Sequence, residues 1–263
     1  MQGKIKNLLK SALILGMLFL PSSQKAETRQ NPIAEWQKYE ISVRDGLITK
    51  NEAALKLEGV TNSLSSYILS NYKIDGEEEW AFPFKNSSIG SIEKGQFKPD
   101  IIYGAPQTRG YDFLDGNKHG GHPAYDFFVL DKNFDSLDDR KNKPIEVVSV
   151  EDAVVISTNN KWDKNNNQIF DKDDIRGGKY IWSYNPKTNK FFYYAHLNEI
   201  FVKPGDAVKK GMSIATVGRT GSTAVPKEER WDKNPCPTHL HFMVLEKKMN
   251  KLVPFDYYPR YKK

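Results

Sequence analysis

Two short segments of the chain hold histidine and aspartate at spacings that could bind a metal ion. His122 and Asp126 lie four residues apart in HPAYD, and His239 and His241 lie two apart in THLHF. Residues two apart on a β-strand point to the same face, so both imidazoles of THLHF would face one space. Two imidazoles and one carboxylate form a common ligand set for zinc that leaves one position for water. The spacing indicates a catalytic metal site, although each pair alone also fits hydrogen-bonded core or surface residues.

Two further residues lie close to these segments and have open roles. His119 stands three residues before His122 in KHGGHPAYD and could compete as a ligand. We favour His122, because it alone stands four residues before an acid, and we expect His119 at the rim of the cleft. Cys236 is the only cysteine, so no internal disulfide is expected. We favour a buried or incidental thiol there over a regulatory fourth zinc ligand.

Short β-strands after Trp80 must position these side chains. Runs rich in Val, Ile, Tyr and Phe are separated by Gly, Pro, Asn and Asp, which is typical of an antiparallel sheet with hairpins. The predicted strands are Ile145–Val150, Val154–Ser157, Tyr180–Tyr184, Phe191–Ala195 and His239–Leu245. In the last strand, Leu240 and Phe242 would face the core on the side opposite the two histidines.

A short helical segment precedes the strands. Asn31 followed by Pro32 is typical of a helix start, and Thr49 with Glu52 forms a capping box for a second helix. A third short helix is predicted after Gly59. The polar sequence DGEEEW connects this segment to the strands. We therefore expect a mainly β fold, an antiparallel β-sheet domain preceded by a short α-helical segment.

The first 26 residues have the pattern of a secretory signal peptide. MQGKIKNLLK is basic, SALILGMLFL is apolar, and Pro21 breaks the apolar run. The run is too short to span a bilayer. We expect cleavage, export to the periplasm, cell wall or extracellular space, and no stable membrane insertion afterwards. The alternatives are an uncleaved anchor or a buried first helix, because the cleavage site matches the usual pattern only in part.

Composition and charge exclude several classes of protein. With 38% hydrophobic and 27% charged residues and a mean hydropathy of −0.64, the chain is neither a multispanning membrane protein nor disordered. The first 26 residues contain four lysines and no acid, so removing them from the formal charge of +6 leaves +2. That charge is too small to indicate nucleic-acid binding, and we expect no nucleic-acid partner.

Four motifs occur in an order that resembles a known family. HPAYD, YYAHL, TVGRTGSTA and THLHF together are similar to the lysostaphin/LytM family of zinc metallopeptidases. The resemblance extends from about Trp80 to Val253. It implies a LytM-like metallopeptidase domain at 79–263, after the predicted signal peptide at 1–26 and the helical segment at 27–78.

The same resemblance implies roles for five residues. His122, Asp126 and His241 would bind one Zn²⁺, and His239 and His196 would flank the substrate carbonyl and act in catalysis. The protein would then be an exported zinc metalloendopeptidase that hydrolyses peptide bonds in bacterial peptidoglycan cross-links or stem peptides, and we expect a monomer. The alternative is a catalytically inactive cell-wall binding or hydrolase-activating module.

Two polar acidic segments, Asp131–Lys143 and Asp163–Asp174, interrupt the predicted strands and are expected to form long loops. The second imitates a Ca²⁺-binding loop in the order of its oxygen-bearing residues, although Gln168 replaces the expected glycine. Its two interpretations are a Ca²⁺ site and a solvated polar loop.

A polar insertion, KEERWDKNPCP, precedes THLHF. It would lie beside the site and could shape the choice of substrate. Four aromatic residues could line a groove for the glycan or the stem peptide, or pack in the core instead. They are Trp182, Tyr193, Tyr194 and Trp231.

Overall fold

The computed structural model describes six stretches of the chain, with the backbone alone in the third: 31–76, 79–87, 98–100, 108–162, 175–224 and 236–257. Both the predicted signal peptide and the predicted Ca²⁺ loop at 163–174 lie outside the described residues. The helices are α1 (Pro32–Arg44) and α2 (Lys50–Asn71), with short 3₁₀ turns at Phe113–Lys118 and Gly221–Ala224. The strands are β1 (Lys98–Asp100), β2 (Ala124–Phe128), β3 (Leu137–Asp138), β4 (Lys143–Pro144), β5 (Glu146–Val148), β6 (Ala153–Asn159), β7 (Tyr180–Asn185), β8 (Lys190–Ala195), β9 (Leu197–Ile200), β10 (Ala207–Val208), β11 (Ser213–Val217), β12 (His239–Lys248) and β13 (Lys251–Pro254).

Both predicted helix starts are confirmed. The Asn31 side chain accepts a hydrogen bond from the N–H of Ile33 at 3.0 Å, and Thr49 and Glu52 form a capping box at the start of α2. The prediction of a separate third helix after Gly59 is wrong, because α2 continues without a break to Asn71. Its buried residues Leu57, Val60, Leu64 and Ile68 form one stripe along the helix, and their packing outweighs the cost of about 1 kcal/mol for an interior glycine.

The main sheet is antiparallel, as expected from the sequence. Its strands lie in the order β1-β2-β12-β8-β7-β6-β10, and β13 pairs with β12. A second sheet has the order β5-β11-β9. The long strand β12 lies between β2 and β8, so residues far apart in the sequence meet in the centre of the sheet.

The two faces of the main sheet pack against different partners. Leu240, Phe242 and Val244 belong to the core between the two sheets, whereas Met243 and Leu245 belong to a second core that includes the helices. This alternation along β12 follows from the two-residue period of a strand. His239 and His241 therefore lie on the face that the helices partly cover.

The helical segment packs tightly on this second face. Trp36 of α1 is fully buried, with its ring centroid 4.9 Å from that of Phe191 in β8 and 6.1 Å from that of Phe113. Gly116 has a φ of +53°, and a Cβ there would lie only 2.2 Å from the carbonyl oxygen of Val43. The helices and the sheet therefore share one core, and the predicted domain boundary between residues 78 and 79 stays a prediction.

The first acidic segment, Asp131–Lys143, is mostly loop, as expected, and ends in the short β3–β4 ladder. The buried Asp131 carboxylate accepts hydrogen bonds from the N–H groups of Asp135 and Ser136, at 3.0 and 2.9 Å. The Asp131 carboxylate therefore stabilises the backbone conformation of this loop. No helix among the described residues is both long and apolar enough to cross a membrane.

Candidate metal centre

Strand pairing brings the two predicted metal motifs together. Asp126 in β2 lies directly opposite His241 in β12, while His239 lies opposite Phe128 on the same face of the sheet. His122 stands in the loop just before β2. The HPAYD and THLHF segments therefore meet because β2 and β12 are neighbours.

The side chains of His122, Asp126 and His241 converge on one point. Nε2 of His122 lies 3.4 Å from Oδ2 of Asp126, and Nδ1 of His241 lies 3.0 Å from Oδ1. Zinc bonds of about 2.0–2.1 Å would place tetrahedral ligand atoms about 3.3 Å apart, so these spacings fit one zinc ion. Among the described residues, these three form the only group of such side chains close enough to hold a metal ion.

The protonation states of His122 and Asp126 also suit a metal. Burial, followed by the charge of His241, lowers the pKa of His122 to about 4, so its imidazole is neutral at pH 7. Burial alone would raise the pKa of Asp126, but the surrounding histidines, His239 first, hold it well below its usual range. A neutral imidazole and an ionised carboxylate are the forms that bind zinc.

His196 follows β8 and is fixed by its backbone and its ring. Its φ is +62°, and its N–H donates to the carbonyl oxygen of Gly177 at 2.9 Å. Nδ1 lies 2.8 Å from the carbonyl oxygen of Thr220, which can only accept, so Nδ1 carries the proton and Nε2 is the basic nitrogen. The His196 ring centroid lies 4.9 Å from that of His239 and 5.6 Å from that of His241.

The His239 ring, like that of His196, is held by a hydrogen bond to a backbone carbonyl. Its Nδ1 donates to the carbonyl oxygen of Pro237 at 2.8 Å, and its Nε2 lies 3.6 Å from Oδ2 of Asp126. Burial would lower the pKa of His239, but the Asp126 charge and the Cys236 side chain outweigh burial and raise it to about 9. His196 differs, because burial and the charges of His239 and His241 lower its pKa well below the usual range.

His119 and Cys236 lie near the site but outside the group of three. The His119 ring packs against Tyr111 with centroids 4.8 Å apart, beside a cavity of about 70 Å³ that Tyr193 and Trp182 also line. The Cys236 sulfur lies 4.0 Å from Nδ1 of His239, the ring nitrogen on the side away from Asp126. His119 therefore lies at the edge of the site, and Cys236 approaches His239 rather than the ligand atoms.

The four aromatic residues that the sequence suggested for a substrate groove or the core differ in position. Tyr194 is fully buried in the core, and its hydroxyl accepts a hydrogen bond from the N–H of Val150 at 3.2 Å. Trp182 is also buried. Tyr193 lies closer to the site, with its ring centroid 6.1 Å from that of His241. Trp231, like most of the polar insertion, lies outside the described residues.

Arg219 was not singled out from the sequence, yet it organises the segment before His239. Its buried guanidinium donates to the carbonyl oxygen of Cys236, to Thr238 Oγ1 at 3.4 Å and to the carbonyl oxygen of Thr223 at 3.2 Å. It also lies over the Phe134 ring at 4.2 Å. An arginine within TVGRTGSTA gives no local signal of most of these contacts, because Cys236, Thr238 and Phe134 come from two other segments.

Comparison with known proteins finds a family match for part of the chain. Residues 137–254 match the model of peptidase family M23. The matched range contains His196, His239 and His241, and it begins after the HPAYD segment. No curated protein matches the chain.

Several solved structures are similar to the chain. The catalytic domain of the antimicrobial peptidase lysostaphin from Staphylococcus simulans has 22% identity and a TM-score of 0.36, with 55% of this chain and 81% of that chain covered. A zinc-containing peptidase from Vibrio cholerae has 21% identity and a TM-score of 0.37, with coverage of 66% and 39%. The LytM protein of Ruminococcus gnavus has 16% identity and a TM-score of 0.41, with coverage of 86% of both chains.

At these identities and TM-scores, the solved structures add no argument about activity, and the assignment rests on the family match. That match agrees with the family that the order of the sequence motifs indicated. The match over residues 137–254 supports a relationship of this part of the chain to peptidase family M23.

Proposed function

We propose that this protein is an exported zinc metalloendopeptidase that hydrolyses peptide bonds in bacterial peptidoglycan. The match of residues 137–254 to peptidase family M23 supports a hydrolase of peptide bonds. The observation that carries the proposal is the convergence of His122, Asp126 and His241 on one point, with two more imidazoles beside them. A structural zinc site would be closed by a fourth protein ligand, whereas a set of three leaves one position for a reactant.

The geometry of the five residues supports the roles that the resemblance implies for them. His122, Asp126 and His241 would hold the zinc ion, which when bound lowers the pKa of a coordinated water and polarises the scissile carbonyl. His196 and His239 each donate Nδ1–H to a backbone carbonyl, so Nε2 is the nitrogen left for proton transfer in both rings. One would accept a proton from the attacking water, and the other would stabilise the developing oxyanion or protonate the leaving amine.

The proposal includes the location of the protein. The basic and apolar pattern of residues 1–26 supports export, and peptidoglycan lies outside the cytoplasm. N-terminal sequencing of the protein from its native compartment tests this part, and the mature chain should begin between about residues 22 and 30. A chain that still begins at Met1 in the cytosol would contradict export.

The experiment that tests the activity is a digestion of purified peptidoglycan sacculi. Zinc-loaded protein should release muropeptides, whose masses identify the bond that is cut, and the His241→Ala variant should release none. If the folded, zinc-loaded wild-type protein releases nothing beyond this variant, the peptidase proposal fails. Binding to sacculi without cleavage would then favour the cell-wall binding or hydrolase-activating module.

Ca²⁺ at Asp163–Asp174 stays a prediction from the sequence pattern. Neither the family match nor any described residue supports it. A rise in the melting temperature of the zinc-loaded protein on addition of Ca²⁺, lost in the Asp163→Ala variant, would be its test.

A further inference from the structure

The segment that returns from the second acidic insertion lies against the site. The Gly177 carbonyl oxygen accepts the N–H of His196 at 2.9 Å, and the Arg176 carbonyl oxygen accepts the N–H of Ser222 at 2.8 Å. The N–H of Gly178 closes a turn onto the carbonyl oxygen of Ile175 at 2.8 Å. These bonds attach the backbone at 175–178 to a proposed catalytic residue on one side and to the TVGRTGSTA segment on the other.

Two glycines allow this close approach, and the atoms around them leave little space. A Cβ at Gly177 would lie 2.0 Å from the Tyr193 hydroxyl oxygen, and a Cβ at Gly178 would lie 2.3 Å from the backbone nitrogen of Gly221. Gly178 also has a φ of +59°, which favours glycine. The backbone that presents Arg176 therefore has little room to move, and a ligand of its side chain would not have to order the loop first.

The Arg176 side chain is exposed at the edge of the site. Its Nη1 donates to the carbonyl oxygen of Asn117 at 3.4 Å, and Asn117 lines the same cavity as His119. In the parts of the chain that the structure describes, no carboxylate pairs with Arg176. Asp112 and Asp115, which shortly precede Asn117 in the sequence, both pair with Lys50, at 2.8 and 2.7 Å.

Two contacts place this guanidinium beside the site. Asn117, which accepts its hydrogen bond, lines the same cavity as His119, and the neighbouring Gly177 is hydrogen-bonded to His196. Arg176 is therefore a cation at the rim of the site.

We propose that Arg176 binds a free carboxylate of the peptide substrate next to the scissile bond. A planar guanidinium matches a carboxylate through paired N–H donors, which makes arginine well suited to this recognition. This inference rests on the proposed function and adds a substrate class to it. The enzyme would prefer peptidoglycan peptides with a free carboxylate beside the cleaved bond over amidated or purely glycine-containing peptides.

Kinetics on two matched muropeptides test the inference. They differ only in a carboxylate or a carboxamide on the residue that flanks the bond identified in the sacculus digestion. Wild-type protein should cleave the carboxylate form with a kcat/KM about tenfold higher, because the ion pair is exposed and partly screened. Arg176→Gln should remove this preference by slowing the carboxylate form alone, and Arg176→Lys should keep part of it.

The matched control is Lys187→Gln. Lys187 lies in the β7–β8 hairpin, at the end of those strands away from His196, so this variant removes one positive charge far from the site. It should keep the full preference for the carboxylate form. Equal loss on both muropeptides in Arg176→Gln, or an unchanged preference, would overturn the inference.

A binding measurement separates this inference from the proposed function. Calorimetry with the His239→Ala variant should give about tenfold tighter binding of the carboxylate muropeptide, and adding Arg176→Gln should abolish the difference. If the sacculus digestion shows no cleavage, the proposed function fails, and the calorimetry is done with stem peptides that differ only in a carboxylate or a carboxamide. A binding difference that is lost in Arg176→Gln would then still support the carboxylate site. If both muropeptides are cleaved without any difference in rate or binding, the proposed function stands and the inference about Arg176 fails.

Discussion

Asp126 and His241 lie directly opposite each other across the ladder between β2 and β12, with Oδ1 of Asp126 3.0 Å from Nδ1 of His241. Side chains alternate between the faces of a strand, so a register shift of one residue would move His241 to the opposite face of the sheet. Buried Leu240 and Phe242 on that opposite face oppose such a shift. The same hydrophobic pattern that stabilises the sheet therefore aligns the proposed zinc ligands.

Substitution by alanine should separate the zinc ligands from the residues that move protons. His122→Ala, Asp126→Ala and His241→Ala should each lose both zinc and activity, because these are the three ligands proposed to hold the ion. His239→Ala and His196→Ala should keep near-stoichiometric zinc and lose about 10²–10⁴-fold in turnover. Metal analysis beside a muropeptide-release assay checks both results.

Two outcomes would contradict this division. If His239→Ala loses zinc while His241→Ala retains it, the two histidines of THLHF have exchanged roles. If the wild-type protein holds zinc and none of the five substitutions alters muropeptide release, the metal centre is not the active site.

Arg219 should affect catalysis through the position of His239. Arg219→Ala removes donors to the carbonyl oxygens of Cys236 and Thr223, and an unsatisfied buried acceptor costs about 1–3 kcal/mol. Pro237, whose carbonyl oxygen orients His239, lies in the segment released by this change. We expect at least a tenfold lower kcat with zinc retained. A lower melting temperature with full kcat would restrict Arg219 to a role in stability.

The helical segment should unfold together with the sheet. Trp36→Ala removes a large, fully buried side chain through which α1 packs on the sheet. The free energy of unfolding should fall by about 3–5 kcal/mol, and unfolding should remain one cooperative transition. Leu55→Ala is the control, since Leu55 of α2 is 85% exposed and should change stability by less than about 0.5 kcal/mol. Two separate urea transitions, of which Trp36→Ala shifts only one, would indicate an independent helical domain.

Local patterns predicted the parts of the fold that depend on neighbouring residues. The capping box at Thr49, the alternation along β12 and the side on which both THLHF histidines lie could all be read from spacing. The continuous α2 could not, because the packing that overrides Gly59 comes from residues on other elements. Arg176 was missed for the same physical reason, since its hydrogen-bond partner, the carbonyl of Asn117, is 59 residues away in the sequence.

Ionisation of the buried Glu40 side chain should make the free energy of unfolding depend on pH. It lies in α1 under the sheet, where its carboxylate accepts hydrogen bonds from the hydroxyls of Tyr180, at 3.1 Å, and Ser157, at 3.3 Å. Burial raises the pKa of Glu40 to about 7 and outweighs the opposing charge of Arg44. Native Glu40 therefore keeps its proton at pH values where an unfolded chain has already released it.

The sign of the pH dependence follows from this difference in proton binding. Between about pH 4.5 and 7 the native state binds more protons at Glu40 than the unfolded state, so the free energy of unfolding should fall as pH rises through this range. A shift from 4.5 to about 7 corresponds to about 3 kcal/mol. The Glu40→Gln variant keeps an acceptor for Tyr180 but cannot ionise. Relative to this variant, the wild-type protein should lose about 3 kcal/mol between pH 4.5 and 8 in urea denaturation. A difference between the two proteins that does not change with pH would mean that Glu40 ionises at the same pH in both states.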